Sequence, residues 1–245
     1  MDGQAYQQET LFMAAVVRSR FYPLIALALA AVIVAGFART YYLRVFFQVP
    51  PITVLLHLHA LVFSAWLLLF VTQTRLIARQ NYALHMKVGM AGVVLAVLVV
   101  IVGYMTAIVG AHVVRPRPMG MGALEFLIFP LTSIVLFAVF VAAAVSLRRK
   151  AALHKRFMVL AMIAVLGPPV ARLIRFSELG EHFIAIQTVV TAAFVVWALL
   201  YDWFKYRMIH PVFAVGGTLL VVLWPLREAA ARSDTWLAIA SRLVG

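Results

Sequence analysis

Long apolar runs dominate the chain, and none of them alternates between apolar and polar positions. Seven stand out: Phe21–Ala38, Ile52–Thr72, Val88–Gly110, Leu124–Leu147, Phe157–Ile174, Phe183–Phe204 and Val212–Leu226. They reach or approach the ~20 apolar residues that carry a helix across a bilayer. A transmembrane β-barrel would show a dyad pattern, which is missing here. Backbone groups in hydrocarbon must be satisfied within the segment, so each run predicts a helix. The loops between them are short. The expected architecture is therefore all-α: a polytopic integral membrane bundle of seven transmembrane helices, with residues 1–245 as a single transmembrane domain.

Two weaker patterns flank the bundle. Leu11 to Val17 form a short apolar stretch, which predicts a helix lying in the interface. Arg18 and Arg20 then precede the first run, as in a signal-peptide start. That run is long and no A-x-A site follows it, so it reads as a retained anchor. Near the other terminus, Trp236, Leu237, Ala240 and Leu243 share one helical face behind Ser233 and Asp234. This predicts a second interfacial helix with a side-chain cap at its start.

Composition agrees with the pattern. Hydrophobic residues make up 65% of the chain and charged residues only 12%, against about 25% charged in a soluble domain. The net charge of +13 does not point to nucleic acid, because the basic residues gather at the ends of the apolar runs. There they anchor lipid headgroups and set orientation. Membrane lipids are thus the expected partners. With the N-terminus inside, 12 Lys and Arg fall on the inner side and 9 on the outer, and RRKAALHKR (148–156) is the strongest inner cluster. The expected location is a cytoplasmic (inner) membrane with the N-terminus cytoplasmic. Cysteine is absent, which excludes disulfides, thiolate metal sites and thiol catalysis.

The histidines carry the candidate chemistry. On the expected topology His85, His154 and His210 sit at the inner starts of the third, fifth and seventh spans. His57 and His59 lie in the outer third of the second span, and His112 and His182 border the outer ends of the third and sixth. Ionisable groups inside a membrane are costly and usually face a partner or a cavity. Residues two apart on a helix point about 200° apart, so His57 and His59 face different neighbours. Ser64 shares the His57 face; Trp66 and Gln73 share the His59 face. Neutral imidazole ligates haem iron, copper or zinc. A blander use is also open, in which the rings only hydrogen-bond between helices or among headgroups.

The fifth run contains GPPVARLIR (167–175). Pro168 and Pro169 remove two backbone donors, which disturbs the carbonyls near Ala164 and Val165. Irregular backbone at membrane depth is tolerated where it is buried or lines a cavity. Arg172 and Arg175 follow, suited to a haem propionate, a quinone head group or a lipid phosphate. Asp202 has Lys205 and Arg207 as nearby basic partners, and Gly216–Gly217 permits close helix approach. No Walker loop, HExxH, GxSxG or dinucleotide fingerprint is present, and no catalytic residue is assigned. The last span has no lysine for a retinal Schiff base.

Three segments, HLHALVFSAW, LHMKVG and LHKRFM…PPVAR, give the chain a family likeness across roughly residues 21 to 226. It resembles a loose set of bacterial polytopic proteins similar to haem-copper oxidase assembly factors and, distantly, to transmembrane b-type cytochromes. The likeness implies His57 or His59, His85 and His154 as haem or metal ligands, with haem b as cofactor and copper or another transition metal as the alternative. The function expected on this basis is a b-type haem-binding membrane protein in electron transfer or respiratory oxidase maturation, partnered by a respiratory or other membrane complex and by quinone. Two other readings use the same residues: a non-catalytic accessory subunit of a larger membrane complex, and a histidine-based transition-metal carrier.

Overall fold

A computed structural model describes residues 20–113, 117–175 and 178–245, leaving the side chain of residue 178 aside. The expected interfacial helix at 11–17 lies outside the described residues. All regular structure among the described residues is helical. The helices are α1 Phe21–Phe37, α2 Val54–Ala78, α3 Tyr82–His112, α4 Ala123–Ser146, α5 Ala151–Ala164, α6 Gly167–Arg175, α7 Phe183–Tyr206, α8 Pro211–Ala231 and α9 Asp234–Val244. The α5 and α6 helices together form the fifth span. Seven helical stretches are long and apolar enough to cross a membrane, which makes this a multi-pass membrane protein.

Short polar signals set the boundaries. Thr53 Oγ1 accepts from Leu56 N–H at 3.4 Å and opens α2, and Asn81 Oδ1 accepts from Leu84 N–H at 3.2 Å and opens α3. Glu125 reaches back to the Gly122 N–H at 2.8 Å, closing the first turn of α4. Pro211 takes the first position of α8, where its missing N–H costs nothing. Ser233 caps α9 by accepting from Trp236 N–H at 3.2 Å, as the sequence predicts.

Hydropathy alone misplaces several ends. The first span continues past Phe37 through a π-helical turn, Ala38–Tyr42. The second runs on to Ala78 and the third begins at Tyr82, because the polar residues that flank each apolar run still complete helical turns. His85 consequently lies inside α3 rather than ahead of it.

Sequential helices pack side by side, and the fifth span occupies the centre. Its most apolar window is 61% buried, against 22–44% for the other six. It meets α4 along α5, α8 beside it, and α1 along α6. The chain breaks between Ala164 and Gly167, where the two prolines interrupt the helical ladder. Here α1 comes closest: a Cβ on Gly36 would lie 2.6 Å from Pro169 Cα, so only glycine permits the contact. Gly216 and Gly217 do the same work for α8, the first against Leu160 of α5 and the second against Val195 of α7. Outward-facing residues such as Leu61, Leu68, Val94, Val135, Val189 and Val215 are exposed and apolar, as a lipid-facing belt requires.

Candidate functional site

The seven histidines do not meet at one centre. They divide between the two ends of the bundle, here called the basic end, which carries Arg148 to Arg156, and the distal end.

At the basic end, His85 near the start of α3 and His154 near the start of α5 face each other. Their ring centroids are 6.3 Å apart and their planes are nearly perpendicular, at 85°. His154 Nδ1 lies 2.9 Å from the Ala144 carbonyl oxygen. A carbonyl only accepts, so Nδ1 carries the proton and Nε2 keeps its lone pair. His85 Nδ1 is buried and has no hydrogen-bond partner. Gln73, from the last turns of α2, donates through Nε2 to the His85 carbonyl at 3.3 Å, while its Oε1 is buried and unpartnered. Three helices therefore supply this cluster. Lys87 and the run Arg148, Arg149 and Lys150 lie within a few residues of the two rings.

The distal half holds a cavity of about 390 Å³ between α1, α2, α3, α4 and the broken fifth span. This falls in the range of small-molecule sites, roughly 300–1,000 Å³. Phe37, Phe63, Trp66, Phe126, Phe129 and Trp224 are among its aromatic walls. Its polar lining includes Thr40, His59, Arg117, Arg172 and Arg175. His59 stacks on Phe63, with centroids 4.1 Å apart. Its Nδ1 is buried without a partner, and so is Thr40 Oγ1. Arg172 lies 4.3 Å over the Phe37 ring and donates to the Pro168 carbonyl at 3.0 Å. That carbonyl lies one turn earlier in α6, just past the break, so the guanidinium folds back along its own helix.

His57 turns away from this cavity. It lies 3.4 Å from the Tyr41 hydroxyl on the π-helical turn. The 200° divergence of positions two apart places one ring inward and the other on the flank. Ser64, one heptad after His57, accepts or donates to Tyr42 at 2.8 Å and also borders the cavity. His112 and His182 are exposed at helix ends. His210 Nδ1 accepts from Val212 N–H at 3.2 Å and serves as the cap of α8. Burial, and secondarily the Arg156 charge, lowers the His210 pKa below its usual range, which keeps this acceptor available.

Sequence reasoning missed one buried feature. The sequence offers Asp202 the nearby Lys205 and Arg207 as basic partners. Its partner is Arg156 of the central span, which donates through Nε at 3.0 Å and Nη2 at 2.5 Å. Arg156 is 3% exposed and Asp202 fully buried. The His210 backbone N–H also donates to Asp202, at 3.2 Å. Arg156 had the look of a topology residue because it sits in the basic run, but the start of α5 turns it inward.

The packing polar groups are mostly satisfied around the helix break. Gln187 Nε2 donates to the Gly167 carbonyl at 2.8 Å, and Trp224 Nε1 donates to Thr191 at 2.9 Å. Among the described residues, no group of three or more His, Cys, Asp or Glu side chains is arranged to hold a metal ion. Comparison with protein-family models, with curated proteins and with solved structures gave no match.

Proposed function

We propose that the protein is a b-type haem-binding membrane protein in which His85 and His154 would hold the iron, serving electron transfer or the maturation of a respiratory oxidase. The single observation that carries this reading is the facing of the two rings from separate helices, 69 residues apart in sequence. With centroids 6.3 Å apart, the two rings are close enough that both would hold one iron.

The number of donors favours haem over a bare ion. Structural zinc takes four protein ligands. Two histidines are enough where a porphyrin fills the remaining positions. Bound there, haem would supply one-electron chemistry. The chain's own contributions are separate from that. The Ala144 carbonyl fixes the tautomer of His154 and orients its Nε2. The Nδ1 of His85 is buried with no hydrogen-bond partner in the fold, so no neighbour competes for its lone pair or its proton. Lys87, Arg148 and Arg149 supply positive charge for carboxylates at this end. With the basic end facing the cytoplasm, as the arginine and lysine bias favours, the pair would lie near the cytoplasmic face.

The test is the visible spectrum of protein purified from haem-replete cells, oxidised and dithionite-reduced. A Soret band with reducible α and β bands is expected, lost in His85→Ala and in His154→Ala but retained in His57→Ala. A colourless wild-type preparation overturns the reading.

One observation favours a second reading, the accessory subunit of a larger membrane complex. His57, His154 and His210 each have a hydrogen-bonding neighbour within the fold, as histidines used only for packing would. A colourless protein that co-purifies with respiratory subunits is what that reading expects. The transition-metal carrier reading draws on His85, His154 and Gln73, and metal analysis of the same preparation tests it.

A further inference from the structure

We infer that the distal cavity is a binding site for a lipophilic molecule whose polar head accepts hydrogen bonds, of the class of quinones and fatty acids. The site is separate from the histidine pair at the basic end and does not rest on haem being bound there.

The cavity's chemistry sets the class. Aromatic and aliphatic side chains make most of its wall, which suits an apolar ring or chain. Among the described residues its charged lining is Arg117, Arg172 and Arg175, all donors, with no carboxylate. Two further polar residues of the lining, His59 and Thr40, each carry one buried atom, Nδ1 and Oγ1, that has no partner in the fold. Buried polar groups are nearly always hydrogen-bonded, so orphaned ones on side chains that line a cavity mark the part of it where a small side-chain rotation would meet a ligand's polar atoms. A hydroxyl always offers a proton, and neutral imidazole offers one on either nitrogen. The site therefore presents donors to an acceptor: a quinone carbonyl or a carboxylate.

The location agrees with this class. The cavity lies within the membrane-spanning part of the bundle, between spans that present apolar faces outward. Ligands partitioned into the bilayer reach such a site at high local concentration. The helix break at Pro168 and Pro169 contributes directly, since Gly167, Pro168 and Pro169 all line the space. An unbroken helix would carry side chains and a closed backbone through this position.

The probes are a short-chain ubiquinone and oleate, each titrated into the full chain in lipid nanodiscs. Binding is read by quenching of tryptophan fluorescence for the quinone, because Trp66 and Trp224 line the cavity. Oleate is read by its displacement of a bound fluorescent fatty acid. Saturable binding of either probe, weakened about tenfold or more in Thr40→Val and His59→Phe, is expected from the loss of hydrogen bonds to a buried head group. Quinone binding alone assigns a quinone site, and oleate binding alone a fatty-acid site. Binding of neither probe, or binding that both variants leave unchanged, overturns the inference. The visible spectrum of the same variants separates the two proposals. It should be unaltered in His59→Phe, whereas the haem reading stands or falls with His85 and His154.

Discussion

Single residues in this bundle are decided by whether a buried polar atom finds a partner. Arg156 and Asp202 find each other, and the geometry is bidentate. Removing one member strands the other charge, whereas replacing both with apolar residues removes the problem as well as the bond. Asp202→Ala is therefore expected to lower stability by about 3–5 kcal/mol. The double variant Arg156→Met/Asp202→Leu should recover most of that loss. Thermal unfolding in detergent checks the order, and a double variant no more stable than the single one would contradict it. The pairing was not legible in the sequence: Asp202 lies 46 residues from Arg156 and much nearer to Lys205 and Arg207. The divergence of His57 and His59 was legible, because it follows from helical geometry alone. Which of the two faces a cavity was not, since that depends on how α1 lies against α2.

At the scale of elements, the apolar runs fixed the number and order of the spans, while helix ends followed polar caps that hydropathy does not see. Asn81 starts α3 well before its apolar run, and this is what carries His85 into the helix and toward His154. The proline pair announced the break in the fifth span. Its consequence for packing could not be read in advance, because it depends on a glycine in a different span. Gly36 rests directly on the Pro169 backbone, so Gly36→Ala forces a methyl group into main chain that cannot rotate away. Overpacking of this kind costs about 1–3 kcal/mol. Gly89→Ala provides the control, since the nearest atom to its new Cβ is Gln73 Nε2 at an ordinary 3.5 Å. A lower thermal midpoint for the first variant and little change for the second are expected; equal midpoints would show that α1 does not press on the break.

The molecule as a whole sorts its charge and its chemistry by end. The basic run and the His85–His154 pair share one end, and the cavity with His59 and Arg172 occupies the other half of the bundle. Orientation is directly testable because the chain has no cysteine, so single cysteines can be introduced without background. Arg149→Cys and Glu181→Cys occupy opposite ends and are both exposed. In intact spheroplasts a membrane-impermeant maleimide should label Glu181→Cys and leave Arg149→Cys unlabelled until the cells are lysed. The reverse pattern would invert the topology and place the histidine pair outside. The interrupted central span links the two ends covalently, since it bears His154 on one half and Arg172 on the other, 18 residues further on. A ligand that draws Arg172 toward its head group pulls on the same peptide backbone that holds the imidazole, across a joint in the helical ladder that Gly36 and Gln187 pin in place. The joint should therefore act as a mechanical anchor, stopping movement at the cavity and leaving the imidazole still.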